Sequence, residues 1–112
     1  MSIVEPYAKL LASRGVSLGL LGLTEVALRR DDALNAIELL ASANVPVLGG
    51  DVYIERQDRI EVGLSNWYTD RQDGESPDAF ASRSWDKSRA YISNFSEPPD
   101  GKALYVLVTG DG

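Results

Sequence analysis

The sequence predicts an α+β domain: a small, mostly antiparallel sheet with two to three helices packed on one face. Three observations carry that expectation. The apolar spacing is helical over residues 31–43 and switches to a period of two from Leu48 onward. Ser76-Pro77 opens a second long amphipathic stretch with a capping side chain followed by a residue suited to the first helical position. The run Ala103–Thr109 (ALYVLVT) is apolar on both faces, as a central strand requires. The sheet is then a hairpin plus this C-terminal strand, in an order that the sequence leaves open. One domain accounts for residues 1–112.

The elements follow in order. A first helix is expected from about Ile3 to Ser13, with Pro6 in its first turn and Tyr7, Leu10 and Leu11 at helical spacing. Arg14-Gly15 ends it. The stretch Gly15–Leu23 (GVSLGLLGL) has three glycines and no charge, and reads either as a buried irregular connection or as a short strand. Its spacing matches neither GxGxxG nor a P-loop, so no phosphate role is assigned to it. Asp31 to Ala43 is a helix with Leu34, Ile37 and Ala41 on one face and Ala33 and Leu40 at its edges. Asp31 and Asp32 favour the positive end of its dipole, Asn44 suits a left-handed cap, and Pro46 prevents continuation.

In the hairpin, Leu48, Gly50, Val52 and Ile54 are expected on one face, with Ile60, Val62 and Leu64 joining them after the link Arg56–Asp58. The other face would carry Asp51, Tyr53, Glu55, Arg59 and Glu61. Ser65 to Ser76 reads as a polar loop. The last helix runs from Pro77 to about Phe95, with Ala81, Trp85, Ser88, Ile92 and Phe95 inward and Phe80 and Tyr91 beside them. Glu97–Gly101 (EPPDG) breaks the chain before the final strand.

Composition excludes several chemistries. The chain has no cysteine and no histidine. Disulfides, thiolate nucleophiles, Cys-based zinc sites and His-dependent triads cannot be built. The net charge of −6 repels phosphate backbones and attracts a basic partner. Met1 to Glu5 does not open as a signal peptide does, and the longest nearly apolar run is too short to span a bilayer. Cytoplasmic residence, without membrane or nucleic-acid binding, is the expectation.

Two places invite a binding role. Gly49-Gly50-Asp51-Val52-Tyr53 puts two glycines in a strand, which marks a bulge or a close backbone approach, and projects Asp51 and Tyr53 from one face. These two form either an acidic-aromatic contact patch or a structural feature of the bulge. Asn66–Glu75 places Trp67 and Tyr68 beside Asp70, Asp73 and Glu75, which suits a surface for a basic partner, with Trp67 alternatively a core plug. The expected partner-binding residues are therefore Asp51, Tyr53, Trp67, Tyr68, Asp70, Asp73 and Glu75. The run from Asp70 to Glu75 lacks the ligand alternation of an EF-hand. No catalytic residue, metal or cofactor is expected. Arg83, Lys87 and Arg89 read as a solvated edge of the last helix.

At GGDVY and NWY the sequence resembles the immunity protein 40 family of bacterial polymorphic-toxin systems. The similar stretches are Val26-Ala27-Leu28, Ala33-Leu34, Ala36-Ile37, Val47–Tyr53, Asn66-Trp67-Tyr68, Glu75, Phe80, Arg83-Ser84 and Tyr91-Ile92. The similarity covers about residues 24 to 95 and the last strand. The resemblance implies a cytoplasmic antidote that binds and blocks a cognate toxin domain, many such toxins being nucleases with basic clefts, and implies no catalysis. Two readings from the residues stand beside it. One is a small carboxylate enzyme using Asp51, Tyr53, Asp70 and Glu75, since paired carboxylates can hydrolyse glycosides without histidine. The other is a housekeeping protein-interaction module.

Overall fold

The structure is a computed structural model and describes residues 4–110. The chain runs α1 (Glu5–Arg14), β1 (Val16–Ser17), a 3₁₀ turn (Gly19–Leu21), β2 (Val26–Arg29), α2 (Arg30–Ser42), β3 (Val47–Glu55), β4 (Ile60–Tyr68), α3 (Pro77–Asn94) and β5 (Lys102–Thr109). The expected start of α1 at Ile3 lies outside the described residues. The five strands form one antiparallel sheet in the order β1-β2-β5-β3-β4. The apolar run at 103–109 is thus an interior strand, paired with β2 on one side and β3 on the other.

The helices end where their cap residues place them. The Ala79 N–H donates to Ser76 Oγ at 3.1 Å, with Pro77 next in the chain. Asn44 takes φ 58° just after α2, the left-handed conformation its short polar side chain tolerates. The helices cover one face of the sheet. Leu28, Val47, Val52, Ile54, Ala103 and Tyr105 meet Ala33, Ala36, Ile37, Leu40 and Ile92 in one core. α1 packs on α2, and α2 on α3.

Two buried serines tie α3 to the strands. The Val47 N–H donates to Ser84 Oγ at 3.1 Å, and the Ser84 hydroxyl donates to the Ala81 carbonyl at 2.7 Å. Ser88 Oγ accepts from the Trp67 indole N–H at 3.0 Å. The Trp67 ring stacks on Tyr91, with centroids 4.7 Å apart, and meets the Tyr105 ring edge-on at 6.3 Å. Gly50 makes room for it: a Cβ there would lie 2.4 Å from the indole and 2.7 Å from the Val106 carbonyl oxygen.

Two strands depart from the sequence expectation, and the stretch between α1 and β2 resolves the two alternatives left open for it. β2 was not anticipated; at four residues it is too short for alternation to show. Gly15–Leu23 is both a strand and an irregular connection. It folds over the sheet face away from the helices, where Leu18 is fully buried against Ala27, Tyr53, Leu104 and Val106. Tyr53 is consequently interior.

The largest departure is β4. Ile60 pairs with Glu55, Glu61 with Ile54, and Val62 with Tyr53, so Ile60 and Val62 share a face with Tyr53, opposite to Val52 and Ile54. The cause is the turn. The Arg56 N–H donates to the Arg59 carbonyl, leaving a two-residue link, and turn length sets register. Beyond Val62 the register shifts, so that Ser65 opposes Val52. Gly63 and Leu64 form this bulge. A Cβ on Gly63 would lie 2.6 Å from the Val52 carbonyl oxygen, and Leu64 takes φ 56° with its side chain 94% exposed. The strand then continues through Asn66-Trp67-Tyr68, so the loop begins at Thr69 rather than at Ser65.

Trp67→Ala is expected to cost about 3–5 kcal/mol, because it empties a site shared by α3, β3 and β5. Ser88→Ala is expected to cost about 1–3 kcal/mol, by leaving a buried indole N–H without an acceptor. Urea denaturation measures both, and a loss below about 1 kcal/mol for Trp67→Ala would contradict the packing described.

Candidate functional site

The arginines sort the carboxylates. Arg89 holds Glu38 and Asp86, Arg29 holds Glu55, Arg14 holds Asp32, and Glu61 sits between Arg56 and Arg59. Asp51, Asp70 and Asp73 have no side-chain ion pair or hydrogen bond among the described residues. Asp51 lies on β3, and Asp70 and Asp73 lie in the loop that follows β4. The Thr69 N–H donates to the Leu48 carbonyl at 2.9 Å, which fastens the start of the acidic loop beside the β3 bulge.

Glu75 plays a different part from its neighbours. Arg83 donates to both of its carboxylate oxygens, at 2.9 and 2.8 Å, and a further N–H of the same guanidinium reaches the Asp70 carbonyl. The Gln72 N–H adds a third bond to Glu75, at 3.0 Å. The Arg83 hydrogen bonds, then the Gln72 amide, hold the Glu75 carboxyl at about 2. Glu75 therefore shapes the loop that displays Asp70 and Asp73. Held as a carboxylate, it is unsuited to the general-acid half of a carboxylate pair.

The seven residues expected at a partner surface divide clearly. Tyr53 is 8% exposed and Trp67 5%, so both side chains are mainly interior. Burial, reinforced by the nearby carboxylates of Glu25 and Asp51, pushes the Tyr53 phenol up from its ordinary value. Glu75 is occupied by Arg83. Tyr68 is 65% exposed, Asp70 and Asp73 are exposed, and Asp51 is half-buried.

Between Asp51 and Tyr68 lies a shallow depression that alternation alone did not reveal. The register shift between Val47 and Gly49 leaves Leu48 exposed, in place of the inward position expected for it. Gly49 then stands between Tyr68 on β4 and Val108 on β5, and in the next row Asp51 stands between Asn66 and Val106. The result is a hollow of about 400 Å³ whose lining combines apolar Leu48, Tyr68 and Val108 with polar Asp51 and Asn66, and which Trp67 and Gly50 also border. Lys87 donates to the Tyr68 carbonyl and sits 5.6 Å from the Tyr68 ring centroid. Among the described residues no three carboxylates converge to hold a metal ion, and no helix is long and apolar enough to cross a membrane.

The Glu75–Arg83 pair has a pH signature. Its folded pKa, near 2, lies below the ordinary value of 4.5, so the pair stabilises the fold above that value and loses its effect as pH falls through the folded one. The urea midpoint of Glu75→Gln should lie below that of the native chain at neutral pH, and the gap should close towards pH 2. A gap that persists in acid would rule out the ion pair as its source.

Comparison with curated proteins and with solved structures finds no match. A family model, immunity protein 40, matches residues 17–109. The match runs from β1 to the last residue of β5 and takes in the covering segment as well as the sheet, and on that extent the chain belongs to the immunity protein 40 family.

Proposed function

We propose that this protein is the cytoplasmic antidote of a polymorphic-toxin system, binding its cognate toxin domain and blocking it without catalysing a reaction of its own. Family membership over residues 17–109 carries this reading. The surface adds support. Net charge is −6, and the carboxylates left without arginine partners include Asp51, Asp70 and Asp73 at the β3–β4 end of the sheet. Such a surface suits a basic protein, as a nuclease toxin with a cationic cleft would be. Opposite fields accelerate encounter and fix orientation, while affinity depends on a few well-packed anchors. Tyr68, which leads into the acidic loop, and Asp51, which shares its hollow, serve as those anchors in this reading, with Trp67 and Glu75 supporting the surface from within.

The direct test is co-purification with the C-terminal domain of the large secreted protein encoded beside this chain, together with rescue of cells that express that domain. A stable complex with rescue is expected; the absence of both would refute the antidote reading. Within such a complex, Asp70→Lys with Asp73→Lys should slow association at low salt by about tenfold or more and flatten its salt dependence. Urea stability should move by no more than about 0.5 kcal/mol, because neither side chain is bonded among the described residues. An unchanged association rate by stopped flow would place the contact elsewhere.

A further inference from the structure

We infer that the hollow lined by Leu48, Gly49, Asp51, Asn66, Tyr68 and Val108 is a receptor for one guanidinium side chain of the protein partner. This deepens the antidote reading above and rests on it for the identity of the partner. Each wall restricts what can fit. Leu48, Val108 and the Tyr68 ring offer apolar surface suited to an aliphatic stem. Gly49 lets the two strands close beneath them, since a Cβ there would lie 2.1 Å from the Trp67 carbonyl oxygen. Asp51 and its cross-strand partner Asn66 line the same hollow and supply acceptor oxygens.

The electrostatics select a cation. Asp51 is half-buried, has no ion pair or hydrogen bond among the described residues, and shares its side of the sheet with the carboxylate of Glu25 near Tyr53. An anion would be repelled. A purely apolar group would strip water from a carboxylate and return no bond, which is unfavourable. A metal ion would find, among the described residues, one carboxylate in the hollow where it needs several. An ammonium group would satisfy the charge but is a compact, strongly hydrated point. A guanidinium is planar, weakly hydrated and carries five donors in a fixed fork, so it can pair with Asp51 on two bonds, donate to the Asn66 amide oxygen and lie against the Tyr68 ring. Lys87, the cation of this chain beside Tyr68, is already engaged with the Tyr68 carbonyl.

The test needs no toxin. The ¹⁵N-labelled protein is titrated with N-acetyl-arginine methylamide and, separately, with the citrulline counterpart, which keeps the shape and removes the charge. Saturable amide shifts are expected at residues 48–51, 66–68 and 108 with the arginine compound, with a Kd on the order of millimolar for a group this small. The citrulline compound should produce at least tenfold weaker binding, and Asp51→Asn should abolish the arginine response. Absence of saturable shifts, equal binding of the two compounds, or an undiminished response in Asp51→Asn would each overturn the proposal. The citrulline control uses the native chain, so the decision does not depend on how a variant folds. A toxin complex that forms while this hollow stays silent would reject the receptor and leave the antidote reading standing; a positive titration with no toxin complex would do the reverse.

Discussion

The Trp67 indole fills the space that a side chain at position 50 would take, and much of the molecule is arranged around that substitution of ring for residue. The ring lies in the main core, stacked on Tyr91 of α3 and edge-on to Tyr105 of β5, with its N–H committed to Ser88. It therefore joins one helix and three strands through a single side chain. It also locks the outer half of β4. Once Trp67 is seated opposite Gly50, the next residue, Tyr68, must stand opposite Gly49, and the loop carrying Asp70 and Asp73 must leave the sheet beside Leu48. The surface is displayed by a residue that is itself hidden.

How far the sequence was readable depends on the range of the interaction that decides each feature. The helices were legible to within about two residues at most ends, because their boundaries are set by neighbours in the chain: Ser76 and Pro77 at one start, Asn44 and Pro46 after one end. The interior position of β5 was legible because seven successive residues suit burial on both sides. The facing of β4 was not. Alternation shows that Ile60 and Val62 share a side, but which side follows from the length of the turn at Gln57-Asp58. Tyr53 looked like surface because strand alternation describes one strand, whereas its burial comes from Leu18 and its neighbours folding back from far earlier in the chain. The hollow beside Asp51 needs the Leu48 bulge and the pairing of three strands at once, and no local signal announces it.

The same distinction separates family from interface. Many residues in the stretches that carry the resemblance are interior: Ala27, Leu28, Ala33, Ile37, Val52 and Trp67 are all buried. Others, such as Arg83 and Glu75, are engaged with each other in shaping a loop. A likeness built on such positions reports the scaffold. The exposed positions between them, Asp70 and Asp73 among them, can change without disturbing packing, which is the freedom a binding surface needs if it is to follow one particular partner.

The placement of β5 also governs when the domain can exist. The strand is made last among the described elements, yet it sits between β2 and β3. A nascent chain that has emerged from the ribosome only as far as α3 has no continuous sheet: β2 and β3 would face each other across an empty lane, each with an unmatched row of backbone donors and acceptors. The hairpin and helices can form early, but the core closes only when residues 102–109 have cleared the exit tunnel. A premature stop or a C-terminal clip that removes this strand would delete more than an edge, since it would take out the partner of both halves at once.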